Sequence, residues 1–307
     1  MHIPDGFLST PVWASLDLAA APAAVLIARR ARISVDDGQA PLLGVMGAFV
    51  FAAQMINFPV GLGTSGHLIG SALLTVALGP AAAAAVMTAI LAVQAFVFQD
   101  GGVLALGANV FNMAIAGTLA AYAPIHFLRR GRLRTVGIAA GAFLSVAVSA
   151  TLALSELLIS GVRMPGPALL TSLGLFAASG VVEAAITIAV VRALERLHPR
   201  FVEAPRPAMS RPLAVLGVTA VLLAAIGVLF ASTAPDTLES LVSRAGSAAA
   251  AKSFLPSLMP DYRLPVGGPE WLRRASAGLA GIALMALISV GLVRLLSRRG
   301  ARAGGGA

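Results

Sequence analysis

Residues 67–98 read HLIGSALLTVALGPAAAAAVMTAILAVQAFVF, an uncharged stretch interrupted once, by Gly79-Pro80. The reading of that break decides how many times the chain crosses a membrane. From His67 to the break there are only about a dozen residues, roughly 18–20 Å of helix at 1.5 Å per residue. A hydrocarbon core is about 30 Å thick, so this first piece falls short. If Gly79-Pro80 is a turn, a short helix begins partway across, and PVGLGTSGH (59–67) before it is a re-entrant loop. Irregular backbone at such a depth is tolerated only where protein or a water-filled cavity surrounds it. The other reading is one long helix kinked at Pro80. It merges two spans and inverts every later loop.

The charge distribution argues for the turn. Of the 307 residues 58% are hydrophobic and 11% charged, and mean hydropathy is +0.90. Soluble domains carry roughly 25% charged residues, so the chain belongs in a bilayer. Apolar runs occur near 11–28, 41–57, 67–79, 81–98, 108–127, 136–160, 167–191, 212–231 and 275–296. Basic clusters follow every second run: Arg29, Arg30 and Arg32; Arg129, Arg130, Arg132 and Arg134; Arg192, Arg196, Arg200, Arg206 and Arg211; Arg294, Arg298, Arg299 and Arg302. These are sixteen of the 22 lysines and arginines. By the positive-inside rule they mark the cytoplasmic side, which predicts an outside N-terminus and an inside C-terminus. The net charge of +9 therefore reads as topology, not as nucleic-acid binding. Cysteine is absent, which excludes disulfides and thiolate metal sites.

The sequence thus predicts an all-α polytopic membrane protein with seven helices in residues 1–199 and two more in 212–307. Residues 200–211, Pro-rich and charged, read as a cytoplasmic linker. Residues 232–272, with TAPDTLES and LMPDYRLPVGGPEW, read as an ordered extracytoplasmic cap. Residues 1–12 hold no Lys or Arg, so the positive region of a signal peptide is missing, and Met1 is expected to remain.

The chemistry centres on MHIPDGFLS (1–9). Of four histidines, His126 and His198 end helices beside arginines, where a cation suits the helix dipole. His2 and His67 lie on the outer side. A metal at the terminus can take the Met1 amine, the His2 main-chain nitrogen and the His2 imidazole, three nitrogens near one plane. His67 would supply a fourth. Eight extended residues reach about 26–29 Å, enough for a folded-in terminus to meet His67. A tetragonal nitrogen set suits Ni(II) or Cu(II), while zinc prefers a tetrahedron. The plainer alternative is an incidental surface histidine at position 2.

Gln99, Asp100, Asn109 and Asn112, with Asp5 and Ser65, are candidates to orient such ligands. Buried membrane amides also simply bond across helices. Asp17, Glu156 and Glu183 are intramembrane carboxylates and so functional candidates by default, with Glu156 near an outer end. GLGTSGHLIG (61–70) only superficially resembles a phosphate loop, since His67 and Leu68 occupy the Lys and Ser/Thr positions. Any ATP hydrolysis then belongs to a partner. Ala19/Ala23 and Ala20/Ala24 permit close helix packing.

MHIPDGFLS, GTSGHLIG, FQDGG and GANVFNMAIAG, in that order, resemble the CbiM/NikM family, the substrate-binding membrane subunits of cobalt and nickel energy-coupling-factor (ECF) transporters. The likeness covers residues 1 to about 195. It implies an ECF S-component-like bundle in the cell (inner) membrane, with metal bound by Met1, His2 and His67. It further implies a CbiQ/NikQ-like coupling subunit, CbiO/NikO-like cytoplasmic ATPases, and Ni²⁺ or Co²⁺ as transported substrate with no resident cofactor. Residues 212–296 resemble the companion CbiN/NikN-type (PDGLE) component, fused as in NikMN-like proteins. Thr237 stands where that signature has glycine, which puts a left-handed turn there in question. A stand-alone divalent-metal permease remains an alternative. A membrane metalloenzyme or sensor would need an open coordination position and a general base, for which Asp100 is the one nominee.

Overall fold

The computed structural model describes residues 1–34, 39–199, 201, 210–244, 254–265 and 267–297. Most of the 200–211 linker, Arg206, Arg298, Arg299, Arg302 and part of the 232–272 cap (245–253) lie outside the described residues.

The apolar runs become helices. They are α1 (Thr10–Ser34), α2 (Ala40–Gln54), α3 (Ser71–Leu78), α4 (Pro80–Val93), α5 (Leu106–Asn109), α6 (Gly117–Phe127), α7 (Leu133–Ile159), α8 (Gly166–Leu197), α9 (Ser210–Ala225), α10 (Thr237–Arg244) and α11 (Glu270–Ser297). Wider π-helical turns continue α4 through Gln94–Phe98 and join α5 to α6 through Val110–Ala116. Seven stretches, including 80–98 and 106–127, are long and apolar enough to cross a membrane, and α2 is a shorter apolar helix. The outer faces suit lipid: on α1, Leu18, Val25 and Leu26 are exposed.

The break at Gly79-Pro80 is a turn. Gly79 takes φ 79° and ψ 163°, a region open to glycine alone, and Pro80 then starts α4 where its missing N–H costs nothing. Helices α3 and α4 fold back on each other. The short helix is shorter than the pattern predicts, beginning at Ser71 because Gly70 is left-handed at its N-cap. Before it, the loop is a two-stranded antiparallel hairpin, β1 (Phe58–Gly61) and β2 (Thr64–Gly66).

Without a hydrophobic drive between helices in lipid, close packing holds them. Helix α2 is the buried axis, with Val50, Phe51 and Ala52 fully enclosed. Helices α9 and α11 pack on it, and α11 approaches at Gly281, where any side chain would strike the Phe51 ring. Helices α6, α7 and α8 pack in sequence, and an Arg134–Glu195 ion pair ties α7 to α8 at one end. The π-helical turns flank the 99–105 loop, as π-bulges often flank functional sites.

Candidate metal centre

The N-terminus folds inward over the start of α3. Asn109 fixes its course by a two-way bond with one residue: its Oδ1 accepts the Ile3 N–H at 2.8 Å and its Nδ2 donates to the Ile3 carbonyl at 3.1 Å. Gly102 N–H donates to the same carbonyl at 2.9 Å. Asp5 accepts from the Leu104 and Phe254 amides at 2.8 and 3.1 Å. Met1, His2 and Ile3 are all buried as a result.

There the Met1 amine stands 2.7 Å from His67 Nε2 and 2.5 Å from the Asp236 carboxylate. His67 Nδ1 donates to the Leu68 carbonyl at 2.9 Å, which leaves the Nε2 lone pair facing the amine. Burial pushes the His67 imidazole down to about 3, with the electrostatic push of the Met1 amine and of His2 added to it. The ring is neutral at ordinary pH. The His2 and His67 rings lie parallel, 4° apart in plane with centroids 5.0 Å apart.

His2 Nδ1 lies 2.9 Å from Asp100 Oδ1, its Nε2 is buried with no partner, and its main-chain N–H makes no hydrogen bond among the described residues. Burial works against the Asp100 anion, yet His2, by charge and by hydrogen bond, with His67 and Tyr262 holds that carboxyl well below the usual range. Burial and Asp100 raise the Tyr262 phenol well above its ordinary value. The phenol is therefore the donor in its 2.5 Å bond to Asp100 Oδ2. Asp236 is likewise lowered: burial opposes its charge, but the neighbouring amine and the Glu239 N–H outweigh it.

Among the described residues no three His, Asp or Glu side chains converge into a metal-sized cluster. A metal held here would need donors beyond those side chains, such as the terminal amine and main-chain nitrogens. The donors border a polar cavity of about 540 Å³ lined in part by His2, His67, Asp100, Asp236, Glu239 and Tyr262.

The other expected orienting residues divide. Ser65 ties the hairpin to the 234–237 segment, its N–H to the Pro235 carbonyl at 2.9 Å and its hydroxyl to Ala234 at 2.7 Å. Gln99 turns away to the Leu255 carbonyl at 3.0 Å. Asn112 does not join the histidines: its amide donates to Glu156 on α7 at 2.8 Å, because the π-helical turn faces it into the bundle. Asp17 accepts from the Gly107 N–H at 2.6 Å. His126 meets Tyr122 at 3.1 Å on an exposed surface.

Two residues at the centre went unmarked in the sequence, Asp236 and Tyr262. Both sit in segments whose turn residues drew notice, APDTLES and PDYRLP, but no local pattern reports a contact made across more than a hundred residues. Thr237 needs no left-handed turn: it opens α10, buried, with a normal negative φ.

Residues 2–201 match the family model described as the cobalt uptake substrate-specific transmembrane region, CbiM, and residues 210–298 match the PDGLE domain. The chain is 30% identical to the fused nickel transport protein NikMN of Rhodobacter capsulatus, covering 97% of this chain and 99% of that one. It is 36% identical to the cobalt transport protein CbiM of Thermosediminibacter oceani, over 40% of this chain and 51% of that one. A crystal structure of a truncated transition metal transporter aligns at 30% identity and TM-score 0.49, covering 64% of this chain and 100% of that one.

Proposed function

We propose, from the premise that this chain belongs to the CbiM family and carries a PDGLE domain behind it, that it is the metal-capturing subunit of an ATP-driven importer. It is a multi-pass membrane protein of nickel or cobalt transport, of the fused NikMN type. Its substrate is Ni²⁺ or Co²⁺, taken by the Met1 amine, the His2 main-chain and imidazole nitrogens, and His67. The N-terminus lies outside the cell membrane and the C-terminus inside. A membrane coupling subunit and cytoplasmic ATPases release the ion inward, since the loop at His67 lacks the Lys and Ser/Thr of a phosphate loop.

The 2.7 Å separation of the Met1 amine and His67 Nε2 carries this reading. Two nitrogens bound at right angles to one ion, each about 2.0 Å from it, stand about 2.8 Å apart. The pair is therefore already at the spacing of neighbouring ligands. Between the amine and the His2 imidazole lies the His2 N–H, which has no partner among the described residues and is the group a planar chelate must deprotonate. Four nitrogens in a plane suit Ni(II) or Cu(II), which between the two proposed substrates favours Ni²⁺ over Co²⁺.

The test is titration of metal-stripped protein, tagged only at its C-terminus, with Ni²⁺ and with Co²⁺, beside a form extended by one residue before Met1. The native form should bind one ion with a planar-Ni(II) absorption band, and the extended form should not. Equal binding by both would remove the amine from the site and with it this reading.

A further inference from the structure

Each of the first two residues is held by one carboxylate, and the PDGLE part of the chain governs both. Asp236 is the N-cap of α10: its Oδ1 accepts the Glu239 N–H at 2.7 Å, which turns Oδ2 to the Met1 amine at 2.5 Å. The segment before it adds to the hairpin edge by a parallel bridge between Ser65 and Asp236, so the carboxylate arrives two residues along the chain from His67. Tyr262 reaches the other carboxylate. Its hydroxyl donates to Asp100 Oδ2, while Asp100 Oδ1 holds His2 Nδ1.

The backbone around Tyr262 is strained to achieve this. Asp261 and Tyr262 both adopt left-handed φ, 52° and 55°, a conformation that costs non-glycine residues free energy and persists only where surrounding contacts impose it. The Tyr262 ring stacks on Phe98, centroids 4.7 Å apart and planes 19° apart, and Met259 N–H bonds the Val97 carbonyl at 2.9 Å.

We infer that Asp236 and Tyr262 are positioning residues for the metal centre, Asp236 acting on the Met1 amine and Tyr262 acting through Asp100 on the His2 imidazole. This rests on the reading that Met1 and His2 are ligands. A metal-bound amine keeps N–H groups, so Asp236 can hold it before and after loading. The His2 ring differs. Only Nδ1 lies close enough to the His2 main-chain nitrogen to close a small chelate ring, and Asp100 now occupies that atom. Loading exchanges the Nδ1 proton and its Asp100 partner for the ion. That proton leaves to water along with the one from the His2 main-chain nitrogen, and the Tyr262 hydroxyl keeps the freed carboxylate beside the ring. The PDGLE part thereby sets how readily the ion enters and leaves.

The experiment titrates Ni²⁺ into metal-stripped full-length protein and into Asp236→Asn, Asp236→Glu, Tyr262→Phe and His2→Ala. Asp236→Asn and Tyr262→Phe should each weaken Ni²⁺ binding about 10–100-fold, the usual loss when an outer partner of a metal ligand is removed. Asp236→Glu should recover part of it. Tyr262→Phe keeps the stack on Phe98 and loses one hydrogen bond, so its metal-free melting temperature should fall only slightly while its planar-Ni absorption band shifts. If both variants bind Ni²⁺ like wild type while His2→Ala does not, the inference is wrong and the metal site stands. If His2→Ala also binds like wild type, the metal site itself is wrong. A Tyr262→Phe protein whose weaker binding comes with a markedly lower melting temperature and an unshifted band would show a merely structural tyrosine, and would also overturn the inference.

Discussion

The Glu183 carboxylate, on α8, grips the backbone of Gly70: its Oε1 accepts the Gly70 N–H at 2.8 Å and its Oε2 the Ile69 N–H at 2.7 Å. Glu183 is 1% exposed. A carboxylate in the membrane-spanning bundle thus fixes the two residues that follow His67-Leu68 and lead into α3. Glu183→Ala strands two buried N–H groups and should cost on the order of 3 kcal/mol, read as a lower melting temperature in detergent. Because His67 is then less firmly placed, Ni²⁺ affinity should also fall about 10-fold, measured well below the melting transition. Glu183→Gln keeps one acceptor and should lie between. Unchanged Ni²⁺ affinity in a destabilised Ala variant would make Glu183 a matter of stability alone.

Two asparagines three residues apart should behave differently. Asn109 holds both polar groups of the Ile3 main chain, next to His2, so Asn109→Ala should weaken Ni²⁺ binding about 10-fold. Asn112 serves Glu156, and Asn112→Ala should cost about 1–3 kcal/mol of stability through the unpaired carboxylate. Its Ni²⁺ affinity should equal wild type. His126→Ala, at an exposed helix end, should change neither. Isothermal titration and thermal melting on the three variants separate the roles.

The spans were legible because a bilayer demands long apolar runs and because arginines collect at alternate ends, and a rare histidine or carboxylate in such a chain draws notice. His2, His67 and Glu183 were therefore visible one residue at a time. Asn112 was visible too, but its side of the helix was not, since a π-helical turn shifts the facing of residues from the ordinary 3.6 period. Asp236 and Tyr262 were not legible as site residues. Their partners, Met1 and Asp100, lie 235 and 162 positions away, and such contacts follow from the docking of α9 and α11 on α2, which composition does not encode.

Gly79 tests the break that decides the topology. An added Cβ there meets nothing within 4 Å, so the whole cost of Gly79→Ala is the backbone conformation, about 1–3 kcal/mol. The melting temperature should drop, and trimming neighbouring side chains should not restore it. A neutral Gly79→Ala would mean that α3 and α4 join with ordinary helical geometry, as a kink.

Gly70 poses the complementary case. It is left-handed at φ 83°, and a Cβ would lie 2.5 Å from Val50 Cγ1 and 3.2 Å from Cγ2. Gly70→Ala therefore meets two costs, the left-handed conformation at about 1–2 kcal/mol and a collision with the fully buried Val50 of α2. Val50→Ala removes the second and leaves the first. Alone it should destabilise through the cavity it creates, by about 1–3 kcal/mol. In the Gly70→Ala background it should cost less or even stabilise. The coupling energy from the double-mutant cycle should be favourable by about 1 kcal/mol or more, within the range for residues in contact. Ni²⁺ binding should follow the same order, because α3 and the His67 loop meet at this residue. Strictly additive melting shifts would mean that α2 yields to the new methyl group, and the start of α3 would then not be held by Val50.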